Sequence, residues 1–166
     1  MRLEENIRRV TPYVPGEQPQ QKVIKLNTNE NPYPPAPGVE RALKEMDDGR
    51  LRLYPDPEIR MLTESLAEYC QVKPEQIFVG VGSDDVLSMS FLTFFNSGKP
   101  ILFPDITYSF YKVWAELYRI PYECCPLDEK MHLRKEDYCK ENGGIIFPNP
   151  TAPTGIYESL DVIEEI

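Results

Sequence analysis

The sequence predicts an α/β fold with a mostly parallel sheet, and three observations support this prediction. After residue 76, short apolar runs alternate with segments whose apolar residues recur at helical spacing. Strands that alternate with helices are typical of units in which each helix crosses over a parallel sheet. Prolines and glycines lie mainly between these segments, which gives each segment defined ends. A chain of 166 residues is long enough to form a domain with a hydrophobic core.

The first part of the chain predicts an arm, one short strand and two helices. Residues 1–22 show little apolar periodicity and are expected to form the arm. The apolar run at 23–26 is a strand candidate that leads into a polar turn. Apolar residues recur at helical spacing over 39–46 and again over 59–69, which predicts two amphipathic helices.

The rest of the chain predicts alternating strands and helices. The pattern stops at Ile166 inside an opening helix, so we expect the domain to be truncated at this point. The predicted strands cover 77–79, 101–103, 121–125 and 144–147, and the predicted helices cover 83–94, 108–118, 134–141 and 160 onward.

Composition and charge argue against several classes of function. The formal net charge of −9 argues against a nucleic-acid partner, because phosphate backbones bind clustered Lys and Arg. No apolar run is long enough for a membrane helix, and the charged N-terminus lacks the apolar core of a secretory signal. We therefore expect a cytoplasmic protein. The four cysteines show no CxxC spacing and the single histidine has no partner histidine, which argues against a metal site or a disulfide framework.

The segment from Val79 to Asp85 is the most distinctive local pattern of the chain, and two interpretations fit it. A strand runs into a glycine turn, and a helix begins with Ser83 and two acidic residues. The first N–H groups of a helix have no partner within the helix, and the helix dipole adds partial positive charge there, so a phosphate can bind. A strand–turn–helix connection with Ser83 as N-cap explains the same pattern without a ligand.

Two later loops carry further candidate contacts. Tyr108 follows a predicted parallel strand, where α/β sheets place ligand contacts, and its ring can stack on a flat ligand. A tyrosine that only packs at a helix start is the alternative. Residues 147–155 form a loop in which prolines hold polar side chains in defined positions; a simple connecting loop is again the alternative.

Taken together, these segments resemble the histidinol-phosphate aminotransferase group of the fold-type I enzymes that depend on pyridoxal 5′-phosphate (PLP). The resemblance covers essentially the whole chain and implies the three-layer, aspartate aminotransferase-like fold, here truncated. It implies that 1–32 form an arm that contributes to a small domain, and that 33–166 form the N-terminal part of the large PLP-binding domain. The segments that carry it are 26–37 (LNTNENPYPPAP), 54–57 (YPDP), 80–85 (GVGSDD), 104–111 (PDITYSFY) and 149–155 (NPTAPTG).

The resemblance also implies roles for individual residues. Gly82, Ser83 and Asp84 are expected to bind the PLP phosphate, and Tyr108 is expected to stack on its ring. Because the active site of this family lies at a homodimer interface, Tyr54 is expected to reach the phosphate of the neighbouring subunit.

Two more residues are expected on the substrate side of the site. Tyr13, in a TPY segment similar to that of the family, is expected to contact the substrate phosphate. Asn29 is expected to line the same cleft.

The sequence departs from the family at two points. Where the family has an asparagine that contacts the PLP ring oxygen, this chain has Thr151 and Ala152. Thr151 substitutes for it, Asn149 reaches in, or the contact is weakened. The Schiff-base lysine of the family is expected beyond residue 166, so no catalytic residue is assigned within this chain, and the 166 residues alone are expected to be inactive.

The resemblance implies transamination between histidinol phosphate and 2-oxoglutarate in L-histidine biosynthesis. An aromatic or other amino-acid aminotransferase, or a threonine-phosphate decarboxylase of the same fold, is an alternative. A non-catalytic oligomerisation fragment is an alternative of another class.

Overall fold

A computed structural model of the chain describes residues 3–11 and 14–166. The backbone packs as two compact units. One contains residues 14–79 and is called the helical unit here; the other contains residues 80–166 with the described N-terminal segment and is called the sheet unit. This division does not test the expected domain boundary at residue 32, which stays a prediction.

The helical unit contains the two predicted helices. Helix α1 spans Pro37–Glu45 and helix α2 spans Arg60–Cys70, with 3-10 helices at Asp48–Arg52 and Pro74–Gln76. Asp56 holds the turn before α2, since its carboxylate accepts hydrogen bonds from the backbone N–H groups of Glu58 and Arg60, each at 3.2 Å. The bond from Glu58 is the main reason that the pKa of Asp56 lies below its ordinary value.

The two strands predicted in this part of the chain do not form. Residues 23–26 and 77–79 adopt no strand structure. Ile24 and Leu26 are both 89% exposed, and Phe78 is 67% exposed. A strand needs a neighbour to receive its backbone hydrogen bonds, and no described residue provides one here. The strand predictions for these two apolar runs are therefore wrong.

The sheet unit is built on a buried parallel pair of strands. Strand β1 (Ile101–Pro104) pairs in parallel with strand β2 (Tyr122–Cys125), so that Ile101 is opposite Tyr122. On the other side of β1, Leu102 forms a parallel bridge with Ile145. All four residues of β1 are buried, as expected for a central strand of a parallel sheet. The predicted parallel α/β arrangement is confirmed.

Helices cover this sheet as the sequence predicts. Helix α3 spans Ser83–Phe94, helix α4 spans Phe110–Tyr118 and the short helix α5 spans Leu160–Glu164. Helices α3 and α4 pack an aromatic cluster against β1, and this cluster forms the core of the unit. We define the aromatic cluster as Phe91, Phe103, Tyr108, Phe110, Tyr111 and Trp114.

Two predictions in the last third of the chain are wrong in detail. Residues 134–141 contain a single 3-10 turn, Lys135–Asp137, instead of a helix. Tyr138 is only 1% exposed because it packs beside Leu102 and Leu133, and this core contact takes precedence over local helical spacing. Residues 144–147 contribute the bridge at Ile145 rather than a full strand.

The described residues can be searched for membrane helices, metal-ligand groups and disulfides. No helix in the described part of the chain is long and apolar enough to cross a membrane. No group of three or more potential metal ligands occurs among the residues at 3–11 and 14–166. The four cysteines are free thiols.

Candidate functional site

The turn before helix α3 leaves backbone donors without partners. Gly82 is the N-cap, with φ at 83°, and Ser83 is the first helical residue, so the alternative with Ser83 as N-cap is wrong. The amide nitrogens of Ser83, Asp84 and Asp85 make no hydrogen bond with any residue that the structure describes. Residues 82–84 are exposed. The helix start therefore presents three donors and the positive end of its dipole to an incoming anion.

The two acidic residues of this turn are both engaged. The carboxylate of Asp85 accepts a hydrogen bond from the amide of Val81 at 3.1 Å, which closes the glycine turn. Asp84 Oδ1 accepts a hydrogen bond from the hydroxyl of Tyr108 at 2.6 Å. Each carboxylate thus has a defined partner within the turn or in the neighbouring loop.

Tyr108 lies beside the helix start and packs against the other members of the aromatic cluster. Its ring stacks on Phe110 with centroids 5.7 Å apart and meets Tyr111 edge-on at 5.8 Å. The single tryptophan, Trp114, is 6.2 Å away between ring centroids. Tyr108 is half-buried. The structure therefore brings together the two segments that carried the phosphate and stacking predictions.

A cavity of about 310 Å³ opens beside Tyr108. Its wall includes Thr107, Lys112 and, from the proline-rich loop, Pro153. The hydroxyl of Thr107 is buried without a hydrogen-bond partner among the described residues. A volume of this size lies at the lower end of the range for small-molecule sites. The loop after β1 and the loop at 149–155 thus meet at one recess.

The two candidates for the ring-oxygen contact differ in their surroundings. The side-chain amide of Asn149 donates to the Glu158 carbonyl at 3.0 Å and accepts from the Glu158 N–H at 2.9 Å. Thr151 is only 1% exposed, and its hydroxyl has no partner among the described residues. A buried hydroxyl without a hydrogen-bond partner destabilises the fold, so the Thr151 hydroxyl is a candidate for a contact with a ligand.

Two of the remaining predicted site residues, Tyr54 and Asn29, belong to the helical unit. Tyr54 belongs to the helical unit and is fully exposed, and it lines a groove of that unit with Arg50 and Pro55. Asn29 sits in an exposed turn with φ at 52°. Tyr13 lies outside the described residues.

With this geometry established, comparison with known proteins decides the family. The model of the family aminotransferase class I and II matches residues 21–166. The chain belongs to this family.

Several curated relatives of this aminotransferase-family chain are histidinol-phosphate aminotransferases. The chain is 53% identical to that of Chromohalobacter salexigens over 95% of its own length and 45% of the relative. It is 50% identical to that of Lactococcus lactis subsp. cremoris over 100% of its own length and 47% of the relative. It is 52% identical to that of Clostridium acetobutylicum over 98% of its own length and 46% of the relative. The chain spans less than half the length of these relatives.

Solved structures support the fold. A protein of Erwinia carotovora atroseptica assigned as a histidinol-phosphate aminotransferase matches with a TM-score of 0.72 at 23% identity, over 83% of this chain and 41% of its own. A protein of Burkholderia pseudomallei assigned as an aminotransferase matches with a TM-score of 0.72 at 19% identity, over 83% of this chain and 42% of its own. The predicted aminotransferase fold, present here in part, is confirmed.

Sequence reasoning missed three residues of this region in the aminotransferase-family chain. Thr107 and Lys112 line the cavity. Thr107 directly precedes Tyr108 and Lys112 lies in the first turn of α4, so their closeness to Tyr108 in the sequence could have suggested a place in the same site. Glu158 is 5% exposed and bonded to the backbone of a distant turn. No local pattern signals such a glutamate, because its partner is 25 residues away in the chain.

Proposed function

We propose that the protein carrying this chain is a PLP-dependent aminotransferase that transaminates between histidinol phosphate and 2-oxoglutarate in L-histidine biosynthesis. The observation that carries the proposal is the placement of Tyr108 beside three unpaired amides at the start of α3. The choice of substrate is supported by curated relatives at about 50% identity that share this name.

The start of α3 fits the phosphate of PLP. Backbone donors at Ser83, Asp84 and Asp85 have no competing partner among the described residues, and the Ser83 hydroxyl lies at the same exposed helix start. Gly82, Ser83 and Asp84 would hold the phosphate by N–H donation and by the hydroxyl. The carboxylates of the acidic pair have other partners than the phosphate, because Asp85 is bonded to Val81 and Asp84 to Tyr108.

The neighbouring side chains fit the ring of PLP. Tyr108 would stack on the pyridine ring, and its position is fixed by the aromatic cluster. Thr151 would contact the ring oxygen with its buried, unpartnered hydroxyl. The side chain of Asn149 is already held by two bonds to Glu158, whereas the Thr151 hydroxyl has no partner among the described residues; for this reason Thr151 is proposed for the contact, and the second N–H of the Asn149 amide is the other available donor.

The remaining contacts are proposed from the family resemblance. The protein would act as a homodimer, and Tyr54, whose side chain is fully exposed, would reach the cofactor phosphate of the neighbouring subunit. Tyr13 and Asn29 would contact the substrate. Residues 1–32 would contribute to the small domain and residues 33–166 to the large PLP-binding domain. A cytoplasmic location completes the proposal.

When bound, PLP supplies an electron sink for bond cleavage at the substrate α-carbon. The residues of this chain would bind the cofactor, fix the plane of its ring and exclude water from one side of it. No residue of this chain is assigned as the lysine that holds PLP covalently in the family, so the roles proposed for these residues are binding roles.

The proposal is tested by profiling amino donors with the full-length protein. With PLP and 2-oxoglutarate present, histidinol phosphate should be the preferred donor over phenylalanine, tyrosine and threonine phosphate. A preference for an aromatic amino acid, or carbon dioxide release from threonine phosphate, would assign a different activity on the same fold. PLP binding without any transamination would favour a non-catalytic role.

A further inference from the structure

Glu158 is a buried carboxylate with two donors. Its residue is 5% exposed, and Oε1 accepts hydrogen bonds from the Leu133 amide at 2.9 Å and from His132 Nδ1 at 3.1 Å. Burying a carboxylate is costly unless it is well bonded. The two donors are 26 and 25 residues away from Glu158 in the chain, so this buried carboxylate joins two separate segments.

The turn that donates to Glu158 is itself held firmly. Asp128 Oδ1 accepts hydrogen bonds from the amides of Lys130 at 2.8 Å and His132 at 2.9 Å. The bond from the His132 amide is the main cause that lowers the pKa of Asp128. Leu133, the next residue, packs in the core beside Leu102 of β1. The 128–133 turn is therefore an anchored platform next to the central strand.

The backbone of Glu158 is bonded to the loop that carries Thr151. The side-chain amide of Asn149 pairs with both the N–H and the carbonyl of Glu158, at 2.9 and 3.0 Å. Within the loop, the Thr151 amide donates to the Ile156 carbonyl at 2.7 Å, and the Gly155 amide donates to the Thr151 carbonyl at 2.6 Å. Glu158 thus joins the platform through its side chain and the loop through its backbone.

We propose that Glu158 is a positioning residue that fixes the 149–155 loop to the 128–133 turn and so holds the Thr151 hydroxyl in place for the ring oxygen of PLP. This inference rests on the proposed function. It gives Asn149 a role in the same arrangement, since its amide transmits the position of Glu158 to the start of the loop. A ligand contact that relies on a single hydroxyl requires a loop that cannot move away.

The test compares three Glu158 variants with a matched control in the 166-residue chain. Glu158→Ala removes the acceptor, Glu158→Asp keeps the charge but shortens the side chain, and Glu158→Gln keeps the length and the acceptor oxygen but removes the charge. Glu129→Ala is the control, because Glu129 is exposed in the same turn.

Binding is measured with pyridoxine 5′-phosphate, which has the ring, the ring oxygen and the phosphate of PLP but no aldehyde to react with surface lysines. Its absorption overlaps tryptophan emission, so binding next to Tyr108 should quench Trp114, which is 6.2 Å from that ring. Hydrogen–deuterium exchange of residues 149–158 is measured on the same variants without ligand.

If Glu158 positions the loop, Glu158→Ala and Glu158→Asp bind pyridoxine 5′-phosphate on the order of tenfold more weakly and exchange faster over 149–158. Glu158→Gln stays within about twofold of the wild type, because its oxygen still accepts from Leu133. Glu129→Ala matches the wild type in both measurements.

Two results would overturn the inference while leaving the proposed function intact: wild-type affinity in Glu158→Asp, or a loss in Glu158→Gln as large as that in Glu158→Asp. If Glu158→Ala does not fold, the Asp and Gln variants decide the question by themselves. Absence of any quenching in the wild-type chain would instead count against the proposed cofactor site.

Discussion

The hydroxyl of Tyr108 donates a hydrogen bond to Asp84 Oδ1 at 2.6 Å, and this bond ties the loop after β1 to the start of α3. The two residues are 24 positions apart in the chain. Tyr108 follows strand β1, and the carboxyl ends of parallel strands are where α/β proteins bind their ligands. The bond places an aromatic ring next to helix amides that have no partner among the described residues, and the proposed cofactor site depends on this arrangement.

The backbone at Gly82 provides a first prediction. Its φ of 83° lies in a region that residues with a Cβ rarely adopt, although a Cβ there would meet no atom within 4 Å. Gly82→Ala should therefore lower the free energy of unfolding by about 1–2 kcal/mol and should also weaken pyridoxine 5′-phosphate binding, because the helix start shifts. Urea unfolding and Trp114 quenching measure the two effects.

Gly98→Ala is the control for this substitution. Gly98 has a φ of 79° and the same open surroundings, but it lies beyond the opposite end of α3. It should lose similar stability and keep its affinity for the ligand. Equal losses of affinity in the two variants would show that the effect is not specific to the helix start.

The buried hydroxyl of Thr151 predicts opposite effects on stability and binding. Because this hydroxyl has no partner among the described residues, Thr151→Val should raise the free energy of unfolding of the ligand-free chain by about 1 kcal/mol. The same change should weaken pyridoxine 5′-phosphate binding by removing the contact to the ring oxygen. Such a trade of stability for binding is typical of functional sites.

Thr154→Val tests whether the gain is specific. The Thr154 hydroxyl contacts the Thr151 carbonyl at 3.4 Å and the Ile156 amide at 3.3 Å, so its loss should lower stability. The hypothesis for Thr151 fails if Thr151→Val destabilises the ligand-free chain as Thr154→Val does.

Stability should fall at high pH because of Tyr111. Burial raises its pKa from 10.0 to about 12, so in this range the unfolded chain releases the phenolic proton more readily than the folded chain. The contribution is complete below pH 10 and is lost as the pH rises towards 12. Urea unfolding followed by Trp114 fluorescence across this window should show the decline.

The decline should be smaller in Tyr111→Phe, which has no proton to release. Tyr157→Phe is the control, since Tyr157 is 61% exposed, and it should behave as the wild type. An unchanged pH dependence in Tyr111→Phe would show that Tyr111 does not ionise differently in the two states.

The four thiols should differ in reactivity. Cys70 and Cys139 are exposed, whereas Cys125 is buried, and burial is the main cause that raises its pKa. Since the thiolate is the reactive form, iodoacetamide should label Cys70 and Cys139 first and Cys125 last, and moderately alkaline pH should not remove the difference. Mass spectrometry of digested protein measures this order, and labelling in urea should make it disappear. Early labelling of Cys125 in the native chain would contradict the described core.

Local patterns were sufficient to predict the helices and the two paired strands. Helices α1 to α5 and strands β1 and β2 coincide with predicted segments, because their apolar spacing matches the faces that they bury. The strands expected at 23–26 and 77–79 could not be judged in this way, since a strand depends on a partner elsewhere in the chain. The helix expected at 134–141 was wrong because the burial of Tyr138 is a tertiary effect.

The candidate site was predictable to the same extent. The helix-start pattern at 82–84 indicated a candidate phosphate site and the rule on strand ends indicated a ligand contact at Tyr108, whereas the expectation that both serve one ligand came from the family resemblance. The resemblance to a known family added the choice between Asn149 and Thr151. The role of Glu158 could not be found from the sequence, because only folding brings its carboxylate near the Leu133 amide and the His132 ring.

Fluorescence titration of the 166-residue chain tests the cofactor site most directly. Trp114 is the only tryptophan of the chain and lies in the aromatic cluster with Tyr108, so it reports on a ligand stacked at that ring. Pyridoxine 5′-phosphate should quench its emission saturably, and pyridoxine, which lacks the phosphate, should bind at least about tenfold more weakly because the α3 amides have no anion to hold. Equal affinity for the two compounds, or no saturable quenching, would contradict a phosphate site at the start of α3.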